Sequence, residues 1–88
     1  MTGRFGRGQR HVDAQVRTML GEMADRLETN RPGGDLTEIG RLALIQATTM
    51  DPVLSRALRA AVPEVTGRQT VVRREFAARL REIAEATG

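Results

Sequence analysis

The groups in this chain best suited to chemistry are guanidinium groups. All fourteen of its basic residues are Arg, and Lys is absent. Guanidinium stays charged at any ordinary pH and presents a fork that matches phosphate or carboxylate. The placement of the arginines is uneven. Residues 1–12 hold Arg4, Arg7 and Arg10 and no acid, while residues 13–88 hold eleven Arg against eleven Asp plus Glu. The formal excess of +3 therefore belongs to the leading segment, and the remainder is balanced.

Within that leader, Gly3-Arg4-Phe5-Gly6-Arg7-Gly8-Gln9-Arg10 alternates Gly with Arg around one aromatic residue. Glycine lets a backbone follow an irregular surface, Arg pairs bidentately with phosphate, and Phe5 can stack on a base. The pattern reads as a flexible arm over residues 1–11 that reaches for an anionic partner, either nucleic acid or an acidic protein surface. Three charges give only a shallow salt dependence per chain. Useful affinity would require several arms displayed together.

A second basic group is Arg68, Arg73, Arg74, Arg79 and Arg81, interrupted only by Glu75. At 100° per residue, Arg68 and Arg79 lie about 20° apart on a helix, as do Arg74 and Arg81. Two readings follow. One is a phosphate-facing helix, and the other is an exposed face satisfied by acids on neighbouring helices.

Other chemistry finds little material. There is no Cys, so disulfides and thiolate ligands are excluded. The single His11 has no Ser or Cys nucleophile beside it, and a phosphate loop needing Lys is impossible. Glu22, Asp25 and Glu28 read as a solvated outer helix face, because acid–base work needs a pocket that shifts their pKa. The expectation is a non-enzyme with no metal and no cofactor. No apolar run approaches the ~20 residues of a membrane span, and no apolar segment follows the charged start, so a cytoplasmic location is expected.

The elements that would position these arginines follow from periodicity. Val12, Val16, Met19, Leu20, Met23 and Leu27 step by three and four, predicting a first helix over about 12–30. Gly21 within it either permits close helix approach or is merely tolerated. Asn30-Arg31-Pro32-Gly33-Gly34 is a strong breaker. Asp35-Leu-Thr-Glu38 has capping-box spacing and predicts a second helix over 36–50, apolar on most of its circumference, hence central or buried in a partner. Asp51-Pro52 predicts the start of a third helix that stops at Pro63. Thr66-Gly67-Arg68-Gln69 repeats the capping spacing and predicts a fourth helix over 67–86, with Val72, Phe76, Leu80 and Ile83 as its stripe. No stretch alternates with period two, so strands are not expected.

The second and third helices have the order of a helix-turn-helix, with Ile39, Gly40 and Ala43 packed and with Ser55, Arg56 and Arg59 facing a groove. However, Gln46 to Pro52 replaces the compact turn. The fold expected is an all-α, four-helix orthogonal or bundle-like domain over residues 12–88. Its predicted core is Val16, Leu20, Met23, Leu27, Ile39, Leu42, Ile45, Leu54, Leu58, Val72, Phe76, Leu80 and Ile83. An 88-residue chain with two Phe and no Trp or Tyr has a limited core, so a homo-oligomer is expected, packed across chains through helices one and four. Two functions fit. One is a nucleic-acid-binding protein of regulatory, segregation or packaging type, using Arg4, Phe5, Arg7, Arg10 and the Arg-rich last helix. The other is a protein-interaction adaptor or assembly subunit.

Overall fold

The break after Thr29 sets the architecture, because it turns the chain back along its own first helix. The computed structural model describes residues 2–66 and 69–87, with side chains over 12–66 and 69–86. In chain order the elements are α1 (Thr2–Thr29), β1 (Asp35–Leu36), α2 (Glu38–Thr48), α3 (Pro52–Ala61), β2 (Val71–Val72) and α4 (Arg73–Thr87). The all-α expectation holds, with four helices and one very small antiparallel sheet. Among the described residues no helix is long and apolar enough to cross a membrane.

α1 and α4 form the main seam. Val16, Leu20, Met23, Ala24 and Leu27 of α1 and Phe76, Ala77 and Leu80 of α4 are buried, with Val12, Ile83 and Ala84 packed against them. Ala24 and Ala77 are fully buried, where their small side chains let the two backbones approach. Leu36, Ile45, Leu58, Val62 and Val65 complete the core from the other elements. The seam that the sequence assigned to contacts between chains is thus closed within one chain. Gly21 is not part of a close approach, since a Cβ there would meet nothing within 4 Å.

Several boundaries differ from the sequence reading. α1 begins at Thr2, ten residues before the expected start, and the side chains of the expected arm lie outside the described residues. The expected absence of strands is corrected by β1 and β2, in which Asp35 pairs with Val72 and Leu36 with Val71. Two residues per strand are too few for alternation to show in sequence. This pairing displaces both predicted helix starts. Asp35 is in β1 and does not cap α2; the cap is Thr37, whose Oγ1 accepts the Gly40 N–H at 3.1 Å. β2 occupies Val71–Val72, so α4 begins at Arg73 and not at 67.

Asp51 does cap α3, its Oδ1 accepting the N–H groups of Val53 at 2.9 Å and Leu54 at 3.1 Å, with Pro52 in the first turn. The connection from α2 is only Thr49 to Asp51, more compact than the sequence implied. Ile39 is the clear error in the predicted core: it is 81% exposed. Leu42, Leu54, Val72 and Ile83 are half-buried. Ala24, Leu36, Val62, Val65 and Ala77 are buried as well, though the predicted core omits them.

Candidate nucleic-acid interface

The best-defined basic feature is built on the breaker loop. α1 ends as the Asn30 N–H bonds the Arg26 carbonyl, and Arg31 then adopts the left-handed conformation with φ 51°. This is the position just past a helix where Gly is usual, and Pro32 follows as it often does there. A side chain in that conformation costs about 1–2 kcal/mol, so Arg31 occupies a site its backbone alone would give to glycine.

The loop then meets the start of α4. The N–H groups of Arg73 and Arg74 donate to the carbonyls of Gly34 and Pro32, both at 2.9 Å, and Arg73 Nε donates to the Asn30 carbonyl at 2.8 Å. Gly34 is the tight point of this approach, while Gly33 has room for ordinary contact. A Cβ on Gly34 would lie 3.2 Å from the Arg31 carbonyl and 3.5 Å from Arg73 Cδ, and one on Gly33 would lie 3.5 Å from Arg74 Nη1. Arg31, Arg73 and Arg74 therefore bracket the Gly33–Gly34 pair. Among the described residues no carboxylate lies in ion-pair range of any of the three.

Three other arginines are held by carboxylates. Arg81 donates from Nη2 to Asp25 Oδ1 at 2.6 Å and from Nε to Glu28 Oε1 at 2.7 Å, fastening α4 to α1. Those two hydrogen bonds, Asp25 first, raise its pKa above the usual Arg value. Arg79 pairs with Glu82 one turn on, at 3.1 Å. Arg41, which the sequence reading does not single out, is buried. Its Nε and Nη2 donate to the two oxygens of Glu38, both at 2.8 Å, and its Nη1 donates to the Val62 carbonyl at 3.3 Å. Glu38 Oε1 also accepts the Val65 N–H at 2.8 Å.

Of the predicted contact residues, then, the structure gathers Arg73 and Arg74 and adds Arg31, which sequence reasoning passed over as part of a breaker. Its signal was present: a long cation, not Gly or Asn, just past a helix end. Arg81 is held by acids of α1, as the satisfied-face reading has it, whereas the acid that holds Arg79, Glu82, is on α4 itself. β2 separates Arg68 from Arg79, so the expected helical row of those two does not form, and Arg68 lies outside the described residues. Arg4, Phe5, Arg7 and Arg10 lie on α1, but their side chains are also outside the described set. At 1.5 Å per residue, Arg10 and Asn30 are about 30 Å apart, so the two basic groups occupy opposite ends of α1. Arg56 and Arg59 are exposed on α3, while Ile39 and Ala43, expected to be packed in a helix-turn-helix, face outward. Comparison of the chain with protein-family models, with curated proteins and with solved structures finds no match.

Proposed function

We propose that this chain is a small, non-enzymatic nucleic-acid-binding protein of regulatory, segregation or packaging type, whose body grips phosphate through Arg31, Arg73 and Arg74. The observation that carries this reading is clustering at one loop. Arg31, Arg73 and Arg74 stand around Gly33 and Gly34 with no carboxylate in ion-pair range among the described residues, whereas carboxylates hold Arg41, Arg79 and Arg81; Arg17, Arg26, Arg56 and Arg59 on α1 and α3 are likewise without an ion pair. Arg31 adds weight, since a strained backbone held by a functional side chain is a reason to look for a ligand. Arg4, Arg7 and Arg10 on the first turns of α1 add a second phosphate contact, of which Arg10 is nearest at about 30 Å. A duplex rises 3.4 Å per base pair, so bridging the two ends takes roughly nine base pairs.

The test is a fluorescence-anisotropy titration with a duplex of about twice that length, in low and moderate salt. The variants are Arg31→Gly with Arg74→Gln, and a deletion of residues 2–11. The double variant is expected to bind at least several-fold more weakly with a shallower salt slope. Its fold should be intact or slightly more stable, since Gly suits φ 51° better. No binding by the wild type in low salt would end the reading. Undiminished binding by the double variant would move the contact away from the loop.

A second reading, the protein-interaction module, is favoured by one specific observation. Ile39, Met50 and Val53 are 81%, 95% and 65% exposed, which is unusual for large apolar side chains in a chain with so small a core.

A further inference from the structure

Of the four helices, α3 alone contains no acid: it runs Pro-Val-Leu-Ser-Arg-Ala-Leu-Arg-Ala-Ala. The carboxylate just before it, Asp51, is taken by the N–H groups of Val53 and Leu54. Leu58 is buried, and Ala57 and Ala61 pack against the core. Pro52, Val53, Arg56, Arg59 and Ala60 are left exposed. At 100° per residue Arg56 stands opposite the buried side, with Arg59 about 60° to one flank and Ala60 about 40° to the other. Pro52, Val53, Arg56, Ala57 and Ala60 line an open groove along this side.

The helix itself does not call for these cations. Arg59, in the last turn, suits the negative end of the helix dipole. Arg56 sits in the middle, and residues three apart are neighbours on a helix, so Arg59 repels it. Among the described residues no carboxylate lies in ion-pair range of either. The exposed sides of α1 and α4 differ, since Asp13, Glu22, Glu75 and Glu85 stand there among the arginines. A polyanion laid along α1 or α4 meets those carboxylates. One laid along α3 meets cations and apolar groups.

We infer that α3 enters the major groove of duplex DNA, with Arg56 donating bidentately to guanine O6 and N7 and Arg59 donating to a phosphate at the groove's edge. The ten residues of α3 span about 15 Å, and a helix fits a groove ~12 Å wide. Val53 and Ala60, beside Arg56, offer methyl groups of the kind that contact thymine. The inference rests on the nucleic-acid reading above and adds to it a means of choosing bases, which a grip on phosphate lacks.

The experiment titrates the full chain by fluorescence anisotropy against three G·C-rich duplexes of one sequence: DNA, the same DNA with 7-deazaguanine for guanine, and RNA. Replacing N7 removes a major-groove acceptor and leaves the pairing and the phosphates in place. The wild type is expected to bind guanine DNA about fivefold or more tightly than 7-deazaguanine DNA. RNA should bind more weakly than guanine DNA, because side chains cannot read its deep, narrow major groove. Arg56→Ala, at an exposed helical position, should keep its circular dichroism and melting and bind the two DNAs alike. Arg59→Gln should weaken both by a similar factor and keep the preference. Three results overturn the inference while leaving the phosphate grip of the loop standing: equal binding of the two DNAs by the wild type, a preference that survives Arg56→Ala, and RNA bound as well as guanine DNA. Binding to none of the three in low salt ends both readings.

Discussion

α1–α4 and α2 are built with opposite polarity. Between α1 and α4 the apolar residues are inside, from Val16 to Leu27 against Phe76 to Leu80, and the ionic fastening of Arg81 to Asp25 and Glu28 is outside. α2 places its charge inside and much of its apolar surface outside. Arg41 is 4% exposed and ties α2 to the Val62–Val65 segment, while Ile39 and Met50 stand in solvent. The first pair is complete within one chain. The second element is attached to the body by a polar cluster and by Ile45 with Leu44 beside it, and Ile39 on its outer side stays exposed.

The sharpest way to break that comparison is to truncate one Leu and one Ile. Leu20→Ala leaves a cavity in the α1–α4 seam, where the side chain is wholly buried, and is expected to cost about 2–5 kcal/mol. Ile39→Ala removes a side chain that touches little of its own chain and is expected to change stability by less than ~0.5 kcal/mol. Urea unfolding at low protein concentration measures both. Comparable losses would mean that Ile39 is core after all and that α2 has no spare face.

Why the sequence revealed one pair and not the other is a matter of what periodicity measures. Steps of three and four located α1 and α4, and their stripes were truly the buried faces. For α2 the apolar residues cover most of the circumference, so the pattern does not say which side meets the core. The deciding residue was Arg41, a cation that a hydropathy pattern assigns to solvent. Its burial depends on Glu38 one turn before it and on backbone atoms more than twenty residues later. The two-residue strands were illegible for a related reason: their pairing is long-range, joining Asp35 to Val72. At the candidate interface, Arg73 and Arg74 were legible as part of a basic run. Arg31 joined them only through the fold.

The next effect is a pH dependence confined to α2. Hydrogen bonds from Arg41, and then from the Val65 N–H, hold the Glu38 carboxyl below its ordinary value of 4.5. A carboxyl with a lowered folded pKa binds fewer protons than the same group in the unfolded chain. Its contribution is therefore fully present above about 4.5 and is lost as the pH falls through the folded value. Acid unfolding of Glu38→Gln should show lower stability at neutral pH and a flatter decline below 4.5 than the wild type. A carbon-detected NMR titration that placed Glu38 at the ordinary value would remove the polar cluster as the fastening of α2.

The smallest effect separates the two fastenings. Arg81 is 44% exposed at its side chain, and its partners Asp25 and Glu28 are 70% and 43% exposed. Water competes for every member of that cluster and salt screens it. Arg81→Gln is expected to lower the melting temperature slightly at low ionic strength, with the difference shrinking as salt is added. Arg41→Gln removes a guanidinium whose side chain is 5% exposed; it takes a donor from the Val62 carbonyl and from both oxygens of Glu38, of which Oε1 keeps the Val65 N–H. Its loss should be larger and nearly indifferent to salt, because screening ions do not enter. Equal losses, or equal salt responses, would show that both clusters sit in the same dielectric environment. The inverted polarity of α2 would then have no energetic consequence, and burying Arg41 would fasten the helix no better than the exposed cluster fastens α4.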